Sequence, residues 1–242
     1  MNDHHPRLSG DFHVHSTFSD DAVSSLEENV AAAVAAGLTD IRFCDHVRVD
    51  TAWVPDYLDA LAALPVPDGL LVTRAVETKM LDASGRLDLP PGLHVGPGGL
   101  DAVVIADHRF PGTDGAWTPD ETKQRLADGL GTADALDLLI GALVGAMNSV
   151  DGGQLAHCFS ILPKVGLSED DLTDEQLRAW AGEAARTGTV VEVNEKWGCP
   201  GPRAVRAAVE AGARVVAASD SHRAADVGRY ERVVRILKEA GV

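Results

Sequence analysis

Six of the nine histidines in this 242-residue chain, His13, His15, His46, His108, His157 and His222, stand where a short apolar run ends. Neutral imidazole is the commonest nitrogen ligand for metals, and strand ends that each deliver one or two rings can converge them on a single pocket. His13 and His15 obey the strand period of two, which turns both rings to one face. Acids share the same positions in Phe43-Cys44-Asp45-His46, Ala75-Val76-Glu77, Ala106-Asp107-His108 and Ser219-Asp220-Ser221-His222. An ionisable group at the end of a buried run costs several kcal/mol unless something compensates it, and a divalent cation is the natural compensation for a mixed set of imidazoles and carboxylates.

The elements that would carry these residues alternate along the chain. β-type runs are expected near 11–15, 40–45, 70–77, 101–106, 154–157, 189–193 and 214–218. Amphipathic helical stretches fall near 24–36, 55–64, 119–129, 133–150, 174–187, 202–211 and 224–240, with Thr118 or Thr132 as N-caps. Seven strands with helical crossovers predict an α/β fold with a parallel sheet. A barrel is favoured over an open sheet, because almost every strand ends in a polar residue instead of one crevice gathering them all. The Gly/Pro-rich stretch 81–99 reads as a hairpin or loop over the barrel mouth. No linker or repeat divides the chain, so residues 1–242 are expected to form one domain, with 1–9, including His4 and His5, as a flexible leader.

Composition excludes several classes. Lys plus Arg number 21 against 37 Asp plus Glu, a formal charge of -16, which repels nucleic-acid backbones and anionic membranes. Three cysteines, Cys44, Cys158 and Cys199, without CxxC spacing argue against disulfides. The polar opening lacks the apolar core of a signal peptide, and no run is long enough to span a bilayer, so a cytoplasmic protein is expected.

The ordered set His13-Val14-His15-Ser16, Ser19-Asp20, His46, Glu77, His108, His157 and Asp220-Ser221-His222 resembles the PHP family of metal-dependent phosphoesterases over nearly the whole chain. Cys44 replaces the threonine usual before the Asp-His pair. The resemblance implies a distorted (β/α)7 barrel with three divalent ions, zinc, iron or manganese, at the C-terminal face of the strands. It implies that His13, His15, Glu77 and Asp220 hold one ion, that Glu77 bridges to a second held by His108 and His157, and that Asp20, His46 and His222 hold the third. The activity it implies is hydrolysis of a small phosphate monoester by a metal-activated hydroxide, as in the histidinol-phosphate phosphatases of the family, with Asp220, Glu77 and His222 as the catalytic carboxylates and imidazole.

Cations that follow these residues closely, Arg48, Arg109, Lys196 and Arg223, are candidate substrate contacts, because a guanidinium can fork two phosphate oxygens. Glu192 and Asn194, at the end of the sixth run, either position the site or satisfy nearby backbone groups. Competing readings are an amidohydrolase-like attack on a C–N or ester bond, a phosphodiesterase acting on a nucleotide or cyclic phosphate, and a catalytically silent scaffold. No expected run ends in a lysine, Lys79 falling two residues beyond Glu77, which argues against the first, and the filled ligand set argues against the last.

Overall fold

The computed structural model describes residues 6–242; His4 and His5 lie outside the described residues. In chain order the elements are β1 (Gly10–Val14), α1 (Leu26–Ala35), β2 (Asp40–His46), α2 (Val54–Ala63), β3 (Leu71–Lys79), β4 (Ala102–Ala106), β5 (Phe110–Gly112), β6 (Gly115–Trp117) and α3 (Pro119–Ala127). There follow α4 (Thr132–Ser149), β7 (Gly153–Leu155), α5 (Leu162–Val165), α6 (Asp174–Thr187), β8 (Val190–Asn194), α7 (Pro202–Glu210), β9 (Val215–Ala218) and α8 (Arg232–Ala240). Seven strands pair in the order β1-β2-β3-β4-β7-β8-β9, every pair parallel. β1 returns to the segment after β9: His15 N–H donates to the Ser221 carbonyl at 2.9 Å and Ser221 N–H to the His13 carbonyl at 3.3 Å. The buried Asp11 carboxylate reinforces this seam by accepting from the N–H groups of Ser219 and Gly228, each at 2.9 Å. The result is a nearly closed, distorted (β/α)7 barrel, as the alternation predicts.

Strand parity decides what lies inside. In β2, Ile41 and Phe43 join Leu26, Val30, Tyr57 and Leu61 under α1 and α2. The intervening Cys44 packs with Ala75, Ala102, Val104, Ala106 and Ala156, so the narrow interior is filled by small side chains. Arg42, of the same parity, donates to Gln154 Oε1 at 2.6 Å, and Gln154 Nε2 donates to Glu192 Oε2 at 2.7 Å and to the Phe12 carbonyl at 2.8 Å. Each member of this buried polar column is thus hydrogen-bonded, as burial requires. The larger apolar cluster lies outside the barrel, where α4, α6, α7 and α8 bring Leu139, Leu143, Trp180, Val205 and Ile236 together with Ile105, Leu155 and Val191 of the strands.

Helix starts follow local chemistry: Ser25 with Glu28, Thr118 with Glu121 and Thr173 with Gln176 form reciprocal capping boxes. Thr132 is the first residue of α4, capped by Gly131, so of the two expected caps Thr118 is the one used. The expected terminal helix is broken: a single 3-10 turn at Ala224–Asp226 precedes α8, with Gly228 at φ 70° between them. Pro6–Leu8, placed in a flexible leader on sequence grounds, form a 3-10 turn, and Ser9 accepts from Thr39 N–H at 2.7 Å.

Two expectations about loops need correction. The antiparallel hairpin β5–β6 sits in a stretch that carried no strand signal, its strands being three residues each. Segment 81–99 holds only single bridges, Met80 to Leu87 and Val95 to Leu100, and does not cover the barrel mouth; its tie there is Asp88, which holds Lys79 at 2.8 Å. It lies beside the 49–58 stretch and runs against α4, where Gly145 and Gly85 let two backbones touch: a Cβ on Gly145 would overlap the Ser84 carbonyl oxygen. The substitution Gly145→Ala should therefore destabilise by about 1–3 kcal/mol through overpacking. Gly141→Ala, one turn earlier with open space around it, should stabilise by about 0.5–1 kcal/mol through helix propensity. Thermal melts of the two variants check this, and equal melting temperatures would contradict the close approach.

Candidate metal centre

Parallel register brings the strand ends level: His46 pairs with Glu77 across β2 and β3, and β4 places His108 two residues beyond its end. The side chains converge. His13 Nε2 and His15 Nε2 lie 3.0 Å apart; Glu77 Oε2 is 3.6 Å from each, and Asp220 Oδ1 is 3.8 Å and 3.5 Å away. On the far side of the same carboxylate, Glu77 Oε1 is 3.3 Å from His108 Nε2 and 3.2 Å from His157 Nε2. Around an ion bound at about 2.0–2.2 Å, tetrahedral donors stand about 3.3–3.6 Å apart, and the separations here, from 3.0 to 3.8 Å, bracket that spacing. Glu77 Oε2 is buried and accepts no hydrogen bond, although His46 Nδ1 lies 2.8 Å away. An orphaned carboxylate oxygen facing ring nitrogens is what a cation would satisfy, so the residues present fit divalent metal.

The outward nitrogens of the rings are fixed by acceptors. His13 Nδ1 lies 2.9 Å from Glu192 Oε2, and His157 Nδ1 lies 3.3 Å from Asp107 Oδ1. A carboxylate can only accept, so Nδ1 carries a proton and Nε2 is the nitrogen turned toward the cluster, where a bound cation would take the place of its proton. Glu192 also receives His157 N–H at 2.9 Å and Asn194 Nδ2 at 2.8 Å, so this buried carboxylate ties two ring-bearing strand ends together. His157 and Asp220 both have positive φ, 29° and 55°, a strained conformation for non-glycine residues that clusters at functional sites.

Asp45 is no part of the donor set. Its carboxylate accepts from Ser16 N–H and Oγ, both at 2.7 Å, and from Ser19 N–H at 3.1 Å and Oγ at 2.7 Å. That grip rolls the chain after β1 into successive turns, Ser19 N–H to Ser16 O and Ala22 N–H to Ser19 O. The consequence is that one expected ligand, Asp20, is placed apart from the rings. Asp20 stands exposed at the rim, whereas Asp21 Oδ2 lies 3.6 Å from His46 Nε2 and 3.2 Å from His222 Nε2. The other eight expected positions converge.

Electrostatics agrees with this grouping. Burial alone would raise the Glu77 carboxyl, but the imidazoles of His108 and His13 hold it well below the usual carboxylate range. Burial likewise opposes ionisation of Asp220, and His13, His15 and His157 overcome it. Burial pushes His15 down to about 3, leaving a neutral ring. His157 moves the other way, to about 10, since Asp107 and Glu77 outweigh its burial. Excess carboxylate charge thus draws positive charge to this spot. Cys44 lies close enough to His13 and His15 to complete a donor group, but burial raises its thiol to about 12 and Sγ points to the Val14 carbonyl at 3.9 Å. Its packing among Ala75, Val104 and Ala156 places Cys44 in the small-residue interior of the barrel.

The cluster floors an open cavity of about 520 Å³, lined also by Arg48, Lys79, Arg109, Lys196 and Trp197. Of the expected substrate cations, Arg48, Arg109 and Lys196 line it. Arg223 does not: it is exposed, pairs with Asp226 at 3.5 Å and borders an adjoining depression. Lys79, which sequence reasoning passed over, lines the cavity while held 2.8 Å from Asp88. Trp197 Nε1 donates to Asp220 Oδ2 at 2.9 Å, and Lys196 Nζ is 3.5 Å from Oδ1. His94 is exposed and away from the cavity, its ring 3.3 Å from the Pro97 carbonyl.

Comparison with known proteins accords with this geometry. Residues 11–84 match the PHP domain family. A probable phosphatase of Thermoanaerobacter sp. strain X514 is 24% identical over 98% of this chain and 88% of its own length. A probable phosphatase of Caldanaerobacter subterraneus subsp. tengcongensis is 25% identical over 96% and 84%. In fold, the chain resembles histidinol phosphate phosphatase from Lactococcus lactis, solved with zinc, L-histidinol and phosphate: TM-score 0.64, 16% identity, 97% of this chain and 94% of that one.

Replacing Glu192 by Gln keeps the size and removes the acceptor that orients His13. Divalent metal affinity, measured by competition with a chromophoric chelator, should fall by about 10–100-fold with the circular-dichroism spectrum retained. Unchanged affinity would show that Glu192 serves only the fold.

Proposed function

From the PHP domain match over residues 11–84, we propose that this chain, acting as one domain, is a metal-dependent phosphatase of small phosphate monoesters, histidinol-phosphatase-like in its chemistry. The single observation that carries the reading is the bridging geometry of Glu77, with His13, His15 and Asp220 about one oxygen and His108 and His157 about the other. Asp21, His46 and His222 form a third donor group beside them, so the proposed complement is three ions. When bound, divalent ions here supply an activated water and neutralise charge developing on the phosphoryl oxygens.

The chain's own groups have separable roles in this reading. Glu77 holds two donor groups at fixed separation. Asp220, steadied by the Trp197 indole N–H and the Lys196 ammonium, is placed to orient the attacking water or accept its proton. Lys196, also 3.2 Å from His222 Nδ1, stands where a transferring phosphoryl group would gain a counter-charge. The amidohydrolase alternative calls for a lysine among the donors, and the Lys79 ammonium is directed at Asp88 instead. Zinc, iron and manganese all suit imidazole and carboxylate donors.

The purified protein should release phosphate from 4-nitrophenyl phosphate far faster than it cleaves bis(4-nitrophenyl) phosphate, and chelator treatment should abolish the activity until metal is restored. His15→Ala and Glu77→Ala should lose activity and metal together; full turnover in either would refute the mechanism. Asp21→Asn should lower bound metal by about one ion per chain, whereas Asp20→Asn should retain the full complement, as read by elemental analysis. The opposite result would return the third donor group to Asp20.

A further inference from the structure

The cations around the cavity are not equivalent. Lys196 stands over the Asp220 and His222 side, and Lys79 is neutralised by Asp88. Arg48 and Arg109 belong to the opposite flank. They follow the ends of β2 and β4, the strands on either side of β3, just beyond His46 and His108, whose rings are 5.5 Å apart. Neither guanidinium has an ion-pair partner among the described residues, although acids outnumber bases 37 to 21. Elsewhere on this surface Arg74, Arg125, Arg186 and Arg203 have found carboxylates at 3.1, 2.9, 2.7 and 2.7 Å.

We infer that the substrate carries a second anionic group, a carboxylate or a further phosphate, on its leaving-group side, and that Arg48 and Arg109 receive it. This rests on the phosphatase reading above. Lys196 and the donor groups stand on the side of the reacting phosphoryl group, which leaves the two guanidiniums on the other flank for a further part of the substrate. A guanidinium binds a planar carboxylate or a phosphate with two N–H donors at once, and two of them line the same cavity. The cavity is too polar for an apolar leaving group, being walled by ionisable side chains on nearly every side. It is also poorly suited to a cationic one. Asp20 is the single carboxylate of the lining that lies outside the donor groups; Glu169 and Asp170 line the depression beyond Trp197 and Glu195, Asp226 and Glu231 the one beyond Lys196, neither of which Arg48 or Arg109 borders. An amino alcohol would meet two arginines that no carboxylate among the described residues contacts directly, Asp88 and Glu121 acting on them only from a distance.

The inference is tested with inert phosphonates on the metal-loaded protein, so that binding is read without turnover. Isothermal titration calorimetry would compare ethylphosphonate, 2-aminoethylphosphonate and a series of ω-carboxyalkylphosphonates of increasing chain length. At the best length the carboxylate should tighten binding by about 10–100-fold over ethylphosphonate, as expected for charge-assisted hydrogen bonds, and the amine should weaken it. In the Arg48→Ala/Arg109→Ala double variant the gain should collapse to about unity, and each single variant should lose part of it. Absence of any carboxylate gain at every length, or tighter binding of the amine, overturns the inference. Retention of the gain in the double variant overturns the assignment to these arginines. Failure of the phosphatase reading is separate: in that case no phosphonate binds and no phosphate ester is cleaved.

Discussion

A carboxylate at 1% exposure has to be matched by positive charge, and the upper end of this barrel is organised around that requirement at Glu77. Its two oxygens face different groups of ring nitrogens, so one residue at the end of β3 sets the spacing between donor groups contributed by β1, β4, β7 and the segment after β9. Shortening the side chain would move both groups at once. Neighbouring strands can be level with Glu77 only because the parallel pairings hold register, His46 opposite Glu77 and Glu77 opposite Val104. The close packing of small residues inside the barrel keeps those strands near enough for their rings to meet.

Much of this was legible in the sequence because strand parity and function coincide. Period-two spacing puts His13 and His15 on one face, and the same rule puts Glu192 and Asn194 inside with Val191 and Val193 outside. The alternation of apolar runs and helical stretches located all seven barrel strands. Eight of the nine expected ligand positions lie within reach of one another for the same reason: each ends a run whose direction the sheet fixes.

What the sequence did not disclose depends on contacts between residues far apart in the chain. Whether Asp20 or Asp21 faces His46 is decided by Ser16 and Ser19 hooking onto Asp45, 26 to 29 residues away, and no local pattern encodes that grip. Arg223 directly follows an expected ligand, as Arg109 does, yet Asp226 three residues on captures it. The β5–β6 hairpin is hidden because Phe110-Pro111-Gly112 reads as a break, whereas Gly112 leaves the space that the Trp117 ring fills. Asp107, beside the ligand candidate His108, turns out to orient His157 and Ser160 instead.

The polar column beneath the donors shows how the fold and the site constrain each other. A barrel core gains most from apolar filling, yet here Arg42, Gln154 and Glu192 occupy interior positions at 8%, 0% and 0% exposure. The column is coherent in one direction only. The Gln154 amide presents its oxygen to Arg42 and its nitrogen to Glu192, which leaves the Glu192 carboxyl accepting where it meets His13. Apolar substitutes would pack as well and would free His13 to adopt either tautomer, one of which turns an N–H toward the donor cluster. A half-satisfied column would be worse than an apolar core, so its members stand or fall together. The interior polarity is therefore best understood as the support of one ring orientation at the mouth, propagated from the base of the barrel through two hydrogen-bonded side chains.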